Sequence, residues 1–442
     1  MHRRSILFAT VFLGVAMTSP SFAATAAEAS ATTGENRESA TAPAEEQPAP
    51  GPTPALPPTQ PALAPAVVVE PANIPPEPQV SKPAPAGPPS FKIEVPEGNT
   101  LKIGLLLQPQ YQMAGDYARD GYSHNLYLRR TRVLLGGTLF GSIEYFFDTD
   151  FANLFLTDNV PGAVGEPDTA VKNTPGMNIQ DAFATWRILK DMVKVDAGYM
   201  LPALAHNALQ GATTLYSWDY FNYSFVHSKA FPSSGNPIGR DLGFQARGLL
   251  LDGLIEYRAG LFQGLRKAQT ATDVSAKNFF RFAGRVQINL LDPETGFFYA
   301  GTYLGKKKIL SLGASVDLQD EYKYFAGDVF ADLPVGTAGV VTAQLNIAHW
   351  DGGDFIPTMV KQTAFMGEVG FFITSLKLSP IVKAEYLNGT GTVADEYRIS
   401  GGIGFWPFGF NSNLKLFYSR NHRDGAAHAV NQLNLQWQFF VF

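Results

Sequence analysis

From Leu101 to Phe442 the chain divides into sixteen short segments of alternating polarity, and the connections between them alternate short and long. Residues 280–290 show the alternation most plainly. Phe280, Phe282, Val286, Ile288 and Leu290 face one way, and Arg281, Arg285, Gln287 and Asn289 face the other. Period 2 is the side-chain repeat of a β-strand, so one set meets an apolar medium and the other a wet one. Hydrocarbon offers no water to free amide groups, so only helices or closed sheets can cross it. The mature chain has no apolar run of about 18 residues or more, the length a spanning helix needs. The pattern therefore predicts an all-β fold: a transmembrane antiparallel barrel of about sixteen strands covering 91–442.

Composition alone would pass for a soluble protein, with 45% hydrophobic and 17% charged residues and a mean hydropathy of -0.04. A barrel hides its membrane character in alternation. The chain has no cysteine, which removes disulfides, zinc-thiolate sites and thiol nucleophiles and suits an oxidising compartment. Arg3 and Arg4 precede an apolar run over 6–17, and Ser21-Phe22-Ala23 offers a cleavage site, so 1–23 reads as a secretory signal peptide. The alternative, a membrane anchor, needs about 20 apolar residues. Residues 24–90 are rich in Ala, Pro, Glu and Thr and nearly free of aromatics, a composition that cannot bury a core. They read as a disordered periplasmic arm, in part extended polyproline II. The arm either reaches peptidoglycan or another envelope partner or serves as a plain spacer.

Strands are expected over 101–113, 124–139, 143–154, 177–189, 193–202, 241–251, 254–264, 278–291, 309–319, 323–333, 339–350, 361–373, 376–387, 395–406, 412–420 and 429–442. Tight links at Gly141-Ser142, 190–192, Asp252-Gly253 and Thr374-Ser375 recur in one sense and read as periplasmic turns; Asp-Gly is a strong hairpin signal. The gaps 155–176, 203–240, 265–277 and 351–360 are longer and fit extracellular loops. Residues 292–308 break the rule, being long on the short-turn side. Either that turn is elaborated or 297–304 adds a strand.

Several segments resemble the phosphate-selective porin O and P family: Tyr127-Leu128-Arg129-Arg130-Thr131-Arg132, Gly239-Arg240-Asp241-Leu242-Gly243-Phe244, 251–257 with Leu261-Phe262-Gln263-Gly264, and 302–310. They occur in order, at sensible spacing, across the barrel and outside the Pro-rich arm. The resemblance implies a sixteen-stranded, usually trimeric outer-membrane porin in outer-membrane lipid, passing phosphate or related small anions along basic lumenal side chains. It also implies that the terminal aromatic is an assembly signal and that the loop 203–239 folds inward, with Lys229 at the constriction. No cofactor, metal or nucleic-acid partner is implied.

Net charge lends the anion reading no support. Without Arg3, Arg4, Arg37, Lys82 and the seven acids before Phe91, 30 basic residues face 32 acidic ones. Placement carries the argument instead. Period 2 sends Arg247, Arg258, Arg281 and Arg285 inward on three consecutive strands, joined by Arg130 and Arg132, and by Lys377, Lys383, Arg398 and Lys415 further on. Against them stand Glu144, Asp148, Asp150, Asp317, Asp328 and Asp332. Arginines at successive depths would hand an anion along bidentately. Opposed walls would give a transverse field and mild selectivity, and neighbouring pairs such as Arg258 with Glu256 would be structural. The long loop carries Tyr216, Trp218, Asp219, Tyr220, Phe221, Tyr223 and Phe225, fit either to stack a sugar or to pack the wall. Lys306, Lys307 and Lys308 read as a solvated charge run. No Ser/His/carboxylate spacing, phosphate loop or metal motif argues for an enzyme. Glycines inside strands, including Gly136, Gly402 and Gly404, mark bends, close approach or a subunit contact.

Overall fold

A computed structural model of the chain describes residues 91–160, 169–226, 239–266 and 279–442. The signal peptide, the arm and Lys229 fall outside the described residues. In chain order the strands are β1 (Phe91–Val95), β2 (Asn99–Ala114), β3 (Ser123–Leu139), β4 (Ile143–Asp150), β5 (Thr157–Val160), β6 (Thr169–Lys172), β7 (Asn178–Leu189), β8 (Val193–Met200), β9 (Asp241–Leu250), β10 (Ile255–Phe262), β11 (Arg281–Asn289), β12 (Ile309–Gln319), β13 (Tyr322–Val335), β14 (Gly339–Asp351), β15 (Gln362–Ile373), β16 (Leu378–Asn388), β17 (Glu396–Phe405), β18 (Ser412–Arg423) and β19 (Val430–Val441).

β2, β3, β4 and β7 to β19 each pair antiparallel with the next, and β19 returns to β2, closing a barrel of sixteen strands. Each sequence-expected strand overlaps one of these. β1 adds a short pairing on the start of β2, and β5 with β6 forms a separate hairpin within the 155–176 gap. Among the described residues no helix is long and apolar enough to cross a membrane. The crossing is made by strands.

Alternation sorts the two faces as expected. Phe282 and Ile288 are 37% and 42% exposed on the outside, whereas Arg281 and Arg285 are 0% and 3% exposed within. One rim carries the start of β2 and the end of β19, together with most tight turns. At the Asp-Gly turn, Asp252 and Gly253 take φ of 53° and 93°, the left-handed region that this dipeptide tolerates. The alternation of short and long links is reversed at a single strand. Residues 290–308, on the tight-turn rim, form an elaborated turn and no added barrel strand, while β12 and β13 join across only Asp320 and Glu321 on the other rim.

Phe442 turns inward, as its parity with Gln436 and Gln438 requires, and meets Phe146 edge-on at 5.8 Å. A Cβ on Gly136 would lie 2.8 Å from the Phe442 ring, so this strand glycine marks a close approach.

Candidate functional site: the narrowed lumen

Register sets the central arrangement of charge. Lys194 pairs with Arg247, Arg247 with Arg258, and Arg258 with Arg285, so four cations on β8 to β11 stand side by side at one level. Directly opposed residues of an antiparallel pair share a face, and like charges there repel. Each cation has its own carboxylate: Asp191 at 2.6 Å from Lys194, Asp196 at 2.8 Å from Arg247, Glu256 at 2.8 Å from Arg258 and Asp328 at 2.6 Å from Arg285. Three other expected lumenal arginines are paired with acids of the wall in the same way. Arg281 holds Asp317 at 2.6 Å, Arg132 holds Asp150 at 2.9 Å, and Arg398 holds Glu385 at 3.2 Å. These pairs lie within one strand and its turn or join strands one or two apart, so basic and acidic walls do not face each other across the bore. The expected Arg258–Glu256 pair is present. Arg247, Arg258 and Arg285 lie abreast at one depth, with Arg281 four residues away along β11.

Lys377 departs from expectation. Its parity points inward, but it sits in the turn before β16 with φ 56°, exposed at the tight-turn rim. The strand begins too late to carry it into the lumen. The run at Lys306 and Lys308 is exposed at the same rim, as a solvated run should be.

The described part of the long loop, 201–226, folds into the barrel and is tied to the wall by cations. Asp219 receives Arg129 at 2.8 Å and Arg130 at 2.7 Å. Burial alone would raise the Asp219 carboxyl, but the two guanidinium groups outweigh it and hold it well below the usual carboxylate range. Lys383 Nζ donates to the Asp219 carbonyl at 3.1 Å and the Tyr220 carbonyl at 2.7 Å. Lys415 Nζ donates to the carbonyls of Leu215 at 2.6 Å and Ser217 at 2.9 Å. Tyr216, Trp218 and Tyr223 are buried in the loop, Tyr216 stacking on Trp406 at 6.3 Å. Arg130 and Lys383, expected in an anion path, are both bonded to this inward loop.

A second segment enters from the opposite rim. Residues 293–303 lie over the cation row, with the Tyr299 ring 4.5 Å from the Arg258 guanidinium and 5.4 Å from that of Arg285. Arg247 lies 5.4 Å from the Phe297 ring. Arg258 also donates to the Phe297 carbonyl at 2.7 Å, and Asp332 accepts the Tyr303 amide at 2.6 Å.

The two segments join in the interior. Gly211 N donates to the Tyr299 carbonyl at 2.9 Å, and Tyr299 N donates to the Leu209 carbonyl at 3.0 Å. Beside this short parallel bridge, His206 Nε2 lies 2.8 Å from Glu294 Oε2, and its ring stacks between Tyr299 at 4.6 Å and Phe330 at 4.2 Å. Gln210 donates to His206 Nδ1 at 3.1 Å, which leaves the Nε2 proton for Glu294. Inward positions are buried along most of each strand. A cavity of about 10 Å³ among Lys194, Arg247, Glu256 and Glu294 has room for roughly one water.

Sequence reasoning missed Lys194, His206, Glu294 and Tyr299 as members of this site. The one available signal was the length of 292–308 on a rim of tight turns.

No protein-family model and no curated protein matches the chain. Among solved structures, an anion-selective porin from Comamonas acidovorans is similar with a TM-score of 0.51 at 11% identity, covering 77% of this chain and 99% of that one. The outer membrane channel DcaP of Acinetobacter baumannii follows with a TM-score of 0.49 at 12% identity, covering 79% and 99%. The fold is that of an outer-membrane porin. At such identities the likeness speaks for the barrel, and the phosphate-selective family suggested by the motifs narrows here to the porin architecture.

Proposed function

We propose that the chain is an outer-membrane porin through which small hydrophilic solutes diffuse passively, with a modest preference for anions. The supporting observation is a closed barrel, apolar outside and polar within, whose inward loop is fixed by Arg129, Arg130, Lys383 and Lys415. The anion preference rests on the row Lys194, Arg247, Arg258 and Arg285, and the likeness to a porin described as anion-selective is in keeping with it. Because those cations lie at one level and each is paired, the row favours a weak filter over a phosphate relay. Export with removal of 1–23, assembly as a homotrimer and an arm reaching the envelope belong to the same reading, on the motif resemblance and the N-terminal sequence.

A second reading, permeation of uncharged solutes such as sugars, is favoured by one observation. β2, β18 and β19 line the side of the ring opposite the arginines with Gln110, Asn413, Gln432, Asn434, Gln436 and Gln438.

Reversal potentials in a planar bilayer under a salt gradient test both. A modest displacement toward the anion potential is expected, reduced in Arg258→Gln. A cation-side potential removes the anion preference and keeps the porin, whereas a barrel that never conducts is a structural envelope protein instead.

A further inference from the structure

The interior of a diffusion pore should be open, yet the loop and the turn meet within this one and bury the row of cations. Three observations bear on how that contact is built. It is made by segments from opposite rims, bridged at Gln210 and Tyr299. The His206 side chain crosses it by its ring, stacked on Tyr299, and by one bond to Glu294, while Gln210 holds that ring from within the loop. Behind it the two segments are held unequally. The loop is fastened by four wall cations, the turn by two, Arg258 and Arg285, with Gln287 and Asp332 beside them.

We infer that the junction of His206 and Gln210 with Glu294 and Tyr299 is a gate, and that the turn 293–303 is its moving part. Resting on the porin reading above, this identifies the described arrangement as the shut state. A packed junction between two separate chain segments has two discrete arrangements, joined or parted, and this gives a channel distinct closed and open levels. When the turn withdraws, Tyr299 and Phe297 leave the guanidinium faces of Arg247, Arg258 and Arg285. The open state is then the one in which a passing anion meets that row. Gating and charge preference are thereby coupled, since the segment that shuts the bore also covers the groups that discriminate.

The absence of native cysteine makes the test clean. Bridge partners stand within disulfide reach, so Gln210→Cys with Tyr299→Cys locks the junction when oxidised and frees it when reduced. Barrel closure is checked by heat-modifiable gel migration, and cross-linking by loss of free thiol. In a planar bilayer the reduced protein is expected to conduct and the oxidised protein to fall nearly silent, reversibly in one membrane. Independently, His206→Phe keeps the stacking and drops the bond to Glu294, and is expected to raise the open fraction about tenfold, as loss of one hydrogen bond to a charged group would. Equal, steady conduction by oxidised and reduced forms overturns the gate and leaves the porin standing. Silence of the wild type and of every variant overturns both.

Discussion

Two segments enter this barrel from opposite rims, and the wall holds them in different ways. The loop 201–226 presents oxygen, the Asp219 carboxylate and the carbonyls of Leu215, Ser217, Asp219 and Tyr220, and wall cations donate to it. The turn 293–303 presents mainly ring faces, Phe297 and Tyr299, to guanidinium groups already neutralised by their own acids, and takes fewer such bonds, from Arg258 to the Phe297 carbonyl and from Arg285 to the Tyr299 hydroxyl. Charge-assisted bonds in a low-dielectric interior are about twice as strong as neutral ones, whereas a ring over a cation contributes about 0.5–2 kcal/mol. The contrast teaches that inward-pointing arginine and lysine are not evidence of an ion path by themselves. On one side of this lumen they act as fasteners, and on the other as a covered surface.

The largest effect should come from breaking the loop's attachment. Asp219→Asn leaves Arg129 and Arg130 without their shared carboxylate, and loss of one partner from a buried pair costs about 3–5 kcal/mol. Release of the loop, read as a lower melting temperature and a red shift of Trp218 emission, is the expected outcome; an unchanged spectrum would mean the four carbonyl contacts suffice. Tyr299→Ala should act next, on the turn. It removes two cation contacts and the stack on His206, within the roughly 3–5 kcal/mol range of a buried aromatic truncation, and should raise conductance while leaving the Trp218 signal in place. If conductance and loop signal move together, the two segments are not held separately.

The smallest effect concerns pH. A carboxylate whose folded pKa is depressed contributes stability that is fully present above its unfolded value, about 3.9, and is lost only as pH falls through the lower folded value. Because Asp219 is so depressed, loop docking should be unchanged between neutrality and about pH 4, followed by Trp218 fluorescence. Loop release near pH 5 would place the attachment elsewhere.

Much of the barrel could be read from residue order because oil on one side and polar groups on the other leave a strand no choice of parity. Arg281 and Arg285 against Phe282 and Ile288 required nothing more. Inward folding of the long loop followed from its length, its aromatics and the family resemblance. The pairing of charges was less legible, since period 2 gives the facing of Arg285 but not the register that brings Asp328 within reach from two strands away. Lys377 shows the limit at strand ends: parity is meaningless once a left-handed turn residue stops the strand. The turn 293–303 was illegible because Phe297, Phe298 and Tyr299 in an irregular stretch suit a strand, a rim or an inward cap equally well.

Lys194, Arg247, Arg258 and Arg285 stand abreast across four strands, so their acids act as a set. Losing Asp196 alone would leave one bare cation flanked by others, whereas losing Asp196 and Arg247 together would remove a balanced couple and disturb the neighbours less. Charge at this level is constrained as a sum, not position by position. A barrel with glutamine and leucine throughout the band would still close, but an ion drifting past would find nothing there to tell its sign.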